Sequence, residues 1–139
     1  MPLLRFSANS TQHQLRRLSN AFATPVQTTY GHYPSGEHAF QAAKMIVALQ
    51  HATSSRQAQD LREHVDRILA AKTPAKAKTL GSWHGCRKHA LQLTLTQREA
   101  WREERVYFQK GICQYKLQHD PQVQRKVPLR CTCCTKNLD

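Results

Sequence analysis

The sequence predicts a predominantly helical α+β domain, and three observations predict it. Apolar residues recur at helical spacing through most of the chain between residues 35 and 118. Residues that cap helices stand at the head of those stretches. One short segment, Val26 to Tyr33, is instead rich in Thr, Val and Tyr and broken by Gly31, which reads as a hairpin or extended piece. The chain has 139 residues, the size of one compact domain, with no internal repeat and no clear linker.

Taken in order, Leu3, Leu4 and Phe6 suggest a short strand, and Ser7 to Gln14 is polar and reads as a loop. A helix begins near Ser35 or Gly36 and runs to about Gln50. Ser35 can cap it, and Glu37 falls in the first turn, where a carboxylate meets the positive end of the helix dipole. A second helix fits Ser55 to Ala71, with Ala58, Leu61, Val65, Ile68 and Leu69 on one face. Thr73 caps a short third helix, Pro74 suits its first position, and Gly81 ends it. Leu91, Leu93 and Leu95 alternate with polar residues as in a strand, although a helix stays open there. Thr96-x-x-Glu99 has the form of a capping box and opens a long helix over about 97–118. Trp101, Phe108, Ile112 and Tyr115 share one side of it, and Asp120-Pro121 starts one more helical turn.

The formal net charge is +12, from 21 Lys+Arg against 9 Asp+Glu. Such a surface attracts polyanions over a Debye length of about 8–10 Å, so nucleic acid, a nucleotide or a sugar phosphate are natural partners. Mean hydropathy is −0.66, no run of eighteen apolar residues occurs, and the start MPLLRFSANS has no signal-peptide pattern. A cytoplasmic protein without membrane contact is expected. Five cysteines, Cys86, Cys113, Cys131, Cys133 and Cys134, fit reduced thiols better than a secreted disulfide framework.

The segment from Gly36 to Val47 is the most informative. Ala39, Phe40, Ala42, Ala43, Met45, Ile46 and Val47 leave little room for a solvated face, so the helix is expected to be buried on most sides. Glu37, Gln41 and Lys44 nevertheless stand at i, i+4 and i+7, stacked along one line. Spacing allows two arrangements. The line is an outward stripe in water, or it lines a cleft where each polar group has a partner.

Several segments carry a resemblance to a known family. Leu18-Ser19-Asn20-Ala21-Phe22 resembles an L/F-S-N-F element. Tyr33-Pro34-Ser35-Gly36-Glu37-His38-Ala39-Phe40-Gln41-Ala42-Ala43-Lys44 resembles a Y/W-P-T-x-E-H-x-F-Q-A-x-K signature. Thr73-Pro74-Ala75-Lys76-Ala77-Lys78-Thr79-Leu80-Gly81 resembles T-P-x-x-A-K-x-L-G, and Trp101 with Lys116-Leu117 resembles a Trp and a later Lys-Phe. In this order they resemble the NADAR (YbiA-like) family. That resemblance implies a compact, mostly helical α+β fold and hydrolysis of an N-glycosidic bond. The substrates it implies are ribosylated pyrimidine phosphates of the early riboflavin pathway, or ADP-ribosylated guanine in nucleic acid. It puts the functional glutamate at Glu37, the motif lysine at Lys44 and the helix tryptophan at Trp101. Asn20 becomes a pocket residue, with Gln41 and His38 as further substrate contacts and no cofactor.

The chain departs from the family at its C-terminal end. Where the family continues into a W-G-x-G-type motif and a closing N-x-L-G helix, this chain has Val127-Pro128-Leu129-Arg130 and CTCCTKNLD. The resemblance therefore implies a domain over residues 1–125 without that segment, and a basic, Cys-rich disordered tail over 126–139. Ala21 replaces the family's Phe, and Gly36 loosens the signature.

Breaking a C1′–N bond builds positive charge on the sugar, as in O-glycoside hydrolysis. Glu37 would stabilise that charge or take a proton from the attacking water. Lys44 would bind a phosphate or pair with Glu37. A neutral Lys44 could instead attack an opened sugar aldehyde. Trp101 would stack on the base or serve as a core residue. Arg5, Arg16, Arg17 and Lys76 would guide a phosphate or simply face water. His84-x-Cys86-x-x-His89 lacks a partner half at zinc-site spacing, so no metal is expected. The second functional reading is a basic nucleotide- or nucleic-acid-binding module without catalysis.

Overall fold

The computed structural model describes residues 13–124, with the side chains of residues 13–15, 122 and 124 left aside. Its elements are α1 (His13–Leu18), β1 (Val26–Thr28), β2 (Gly31–Tyr33), α2 (Gly36–Leu49), α3 (Ser55–Ala70), α4 (Pro74–Gly81), α5 (Trp83–Lys88), α6 (Leu95–His119) and α7 (Pro121–Gln124). The expected strand at Leu3–Phe6 and the tail over 126–139 lie outside the described residues. The described residues are mostly helical, as expected of a predominantly helical α+β domain, with one antiparallel hairpin among them in which Val26 pairs with Tyr33 and Thr28 with Gly31.

Helix α2 is the centre, and α3, α4 and α6 all pack on it. It starts where the sequence placed it, because Ser35 is extended and its hydroxyl accepts the His38 N–H at 3.2 Å. Ala39, Ala42, Met45 and Ala48 face Leu61 and Ile68 of α3, Ala77 of α4 and Ile112 of α6 in one core cluster. The alanines let three helices approach one backbone closely, which a run of leucines would prevent. Leu61, Ile68 and Ile112 are fully buried, each contributing about 1.5–3 kcal/mol of apolar transfer.

Three local expectations change. The polar stretch read as loop to Gln14 is already helical at His13, where α1 begins. Residues 91–94 form no strand among the described residues. Leu91 and Leu93 are buried and Gln92 exposed, but this extended piece has no ladder partner, so its alternation reports burial alone. The capping box of α6 is Thr94 with Gln97, two residues before the expected pair. Gln97 accepts the Thr94 N–H at 2.8 Å and donates to Ala48 O at 3.0 Å and His51 O at 3.2 Å. An amide can do both at once. The Glu99 carboxylate could cap but could not donate to the carbonyls that end α2.

Helix α5 was not expected from sequence. Ser82 both ends α4 and caps α5, and its hydroxyl accepts the Gly85 N–H at 3.0 Å. The turn is tight enough that a Cβ on Gly85 would lie 2.1 Å from Thr79 O and 2.6 Å from Leu80 O. Gly85→Ala therefore displaces backbone rather than a side chain. The expected cost is about 3 kcal/mol or more, read as a lowered urea midpoint.

Acid should loosen the same region. His64 is fully buried, its Nε2–H donates to Leu80 O at 2.7 Å, and Arg67 stands 3.2 Å from Nδ1. Burial pushes its pKa below the ordinary histidine value; the Leu80 carbonyl opposes that, and Arg67, His89 and Lys44 add to it. The folded state holds His64 neutral while the unfolded chain takes up a proton near pH 6.5. Stability is full above that value and is lost as pH falls toward the lowered folded pKa. Melting temperatures between pH 7.5 and 5 should fall for the wild type and fall less for His64→Gln.

Candidate functional site

The line of polar groups on α2 is not an outward stripe. Glu37 is 8% exposed, Gln41 6% and Lys44 9%. Ion-forming and amide groups held this deep require partners or a ligand.

The N-terminal end of the line is built by the loop after α1. Lys116 of α6 is 1% exposed, and its ammonium donates to Ser19 O at 2.8 Å and Arg17 O at 3.0 Å. Arg17 Nε meets Asp120 Oδ2 at 2.6 Å. These contacts fix the loop so that Asn20 O accepts the Glu37 N–H at 2.9 Å. The Asn20 side chain then forms a reciprocal amide pair with Gln109 of α6, at 2.6 and 3.1 Å. Gly36 has a use here: a Cβ on it would lie 2.7 Å from Asn20 Oδ1. A hollow of about 330 Å³ lies beside this junction, lined by Phe40, Arg105, Val106 and Gln109.

In the middle of the line Gln41 Nε2 donates to Glu37 Oε1 at 2.7 Å. That fixes the amide's orientation, since a flipped amide would set oxygen against carboxylate. Gln41 Oε1 is left buried with no hydrogen-bond partner among the described residues. It lies over Gly81, where a Cβ would come within 2.1 Å of it. An oriented acceptor without a donor is an uncommon feature of a folded interior.

At the far end Lys44 carries its ammonium 5.2 Å from the ring centre of Trp83, and Arg98 lies over the same ring at 4.6 Å. Lys44 forms no ion pair with a described residue. Burial pushes its pKa below the ordinary lysine value, and the nearby Cys86 and Glu37 offset part of that. Burial likewise pushes the Cys86 thiol up, against the pull of Lys44. A hollow of about 290 Å³ opens here between Trp83, Arg87, Gln92 and Arg98.

The remaining sequence candidates take other positions. His38 donates Nε2–H to Ala71 O at 2.8 Å and meets Ser35 Oγ at 2.7 Å through Nδ1, with 1% exposure. Both ring nitrogens are used, one residue and about 100° round the helix from the Glu37 line. Trp101 meets Phe40 edge-on at 4.9 Å and packs with Ala43 and Val47, so it forms the wall beside the line. Arg17 is held by Asp120 and lies 5.0 Å over the Phe22 ring, whereas Lys76 is exposed. Arg5 lies outside the described residues. Sequence reasoning missed Trp83, Arg98 and Gln109. Only one signal could have found the first: an indole directly after the Gly81-Ser82 helix break, with no apolar repeat to absorb it.

The arrangement offers a carboxylate, an unfilled acceptor and an amine in sequence along one buried helix, with cations at one end. Comparison with models of known protein families, with curated proteins and with solved structures finds no match to this chain.

Proposed function

We propose that the chain has a NADAR (YbiA-like) fold and is an N-glycosidase. It hydrolyses the C1′–N bond of a ribosylated base or an ADP-ribose conjugate. The observation that carries this reading is the unfilled Gln41 Oε1 beside the Glu37 carboxylate. Two buried acceptors side by side suit a ligand rich in hydroxyl donors, and ribose is one. Glu37 then faces the sugar carbon that gains positive charge as the base departs with the bond's electron pair; it takes the proton of the water that adds there, and the departing base takes up a proton from solvent. Lys44, with Arg98 beyond it, supplies positive charge for a phosphate. Its lowered pKa also suits an amine that adds to an opened sugar aldehyde.

The test is product analysis by mass spectrometry after incubation with ribosylated pyrimidine phosphates and with ADP-ribosylated guanosine. Release of free base by the wild type is the expected result. The second reading, a nucleotide-binding module without catalysis, is favoured by one observation: Asn20 is closed onto Gln109 and Gln41 onto Glu37. Salt-sensitive binding of nucleotide without base release would decide for it.

A further inference from the structure

The groove between the hairpin turn and α6 carries an inference that does not depend on the glycosidase reading. It measures about 640 Å³. Three of the chain's four tyrosines, Tyr30, Tyr107 and Tyr115, line it. Tyr30 stacks on Phe108 at 5.7 Å, and Tyr107 is 71% exposed. Gln114, Gln118 and Thr29 also line it, as does Thr28, whose hydroxyl is held within the hairpin turn by Gly31 O and the Tyr30 N–H. Among the described residues no Lys or Arg lines it and Glu104 is its one acidic residue, although the chain carries a net charge of +12.

Gly111 lies in the same wall, in the interior of a 25-residue helix. A Cβ there would meet nothing within 4 Å. Packing among the described residues does not require this glycine, and a helix interior disfavours it. What its missing side chain leaves is open floor in the groove.

We propose that this groove binds unpaired bases of a single-stranded nucleic acid. The chain's charge concentrates a polyanion at its surface. The groove itself lacks cations, so it is suited to bases rather than phosphates. Aromatic faces stack on any base, and amides and hydroxyls reach base edges. Lys110, with Nζ 5.9 Å from the Tyr107 ring centre, stands close enough to meet the adjoining phosphate. An acidic peptide would meet Glu104 with like charge. A second copy of the chain would set +12 against +12.

The experiment measures anisotropy of a labelled thymidine strand of about 12 nucleotides against an abasic strand of equal length and charge, at about 0.15 M salt. The wild type should prefer the strand with bases about tenfold. Gly111→Leu should remove that preference while circular dichroism and melting temperature hold or improve. Tyr107→Ala, at an exposed site that cannot unfold the protein, should weaken it. Glu37→Gln should leave it intact, which separates this site from the glycosidase reading. Equal binding of the two strands by the wild type, or a preference that survives both groove variants, overturns the proposal. So does a dimer in sedimentation that Gly111→Leu dissolves.

Discussion

Glu37→Gln should lower base release about a thousandfold and leave the fold intact, because the substitution removes a charge and preserves a shape. The helix keeps its cap at Ser35 and its Asn20 O contact through the backbone, neither of which involves the carboxylate. A glutamine oxygen can still accept the Gln41 N–H, so the line along α2 need not rearrange. On the proposed chemistry, what is lost is the negative charge that would face the developing oxocarbenium ion, together with the base that would accept water's proton. The measurement is kcat with saturating substrate, beside a melting curve of each protein. Retained turnover at wild-type level with intact fold would remove Glu37 from the chemistry and with it the glycosidase reading. A variant that melts far below the wild type would mean that the carboxylate holds the fold instead.

The elements legible in the sequence are those fixed by neighbours along the chain. Ser35 before Gly36, and Thr73 before Pro74, predict helix starts because a cap acts within one turn. The apolar repeat of α3, except Leu69, which is exposed, and the Trp101, Phe108, Ile112 and Tyr115 face of α6 lie on buried or half-buried sides for the same reason. The cap of α6 was not legible, since the choice of Gln97 over Glu99 depends on carbonyls 46 and 49 residues away in sequence. Helix α5 was not legible because six residues are too few to establish a period. The candidate site divides in the same way. Spacing put Glu37, Gln41 and Lys44 on one line. Whether that line met water or protein depended on Gly81, Trp83 and the Asn20–Gln109 pair, which local sequence does not bring together. Lys116 shows the same limit: its sequence neighbourhood does not reveal that its ammonium closes the loop bearing Asn20.

The second large effect is expected at Lys44, and there stability and activity should move in opposite directions. Lys44→Met should abolish turnover and raise the melting temperature, with a gain of about 1 kcal/mol at neutral pH. Lys44 is 9% exposed, and its ammonium forms no ion pair with a described residue and lies over the Trp83 ring. A thioether of similar length fills the same space without the cost of desolvating a charge. The sign follows from the lowered pKa. The unfolded chain holds the proton up to about pH 10.5, and the folded chain releases it earlier. The penalty on the wild type is therefore complete below the folded pKa, and it disappears as pH rises from there to the unfolded value. The gap between wild type and Lys44→Met should be widest near pH 7 and narrow as pH rises toward about 10.5. A variant less stable than the wild type at pH 7 would show that the amine supports the fold. Lys44→Arg separates the two roles that remain for it. A guanidinium keeps its positive charge but cannot add to an aldehyde. Activity retained within about tenfold in Lys44→Arg assigns the residue to phosphate, and activity lost as fully as in Lys44→Met assigns it to covalent attack.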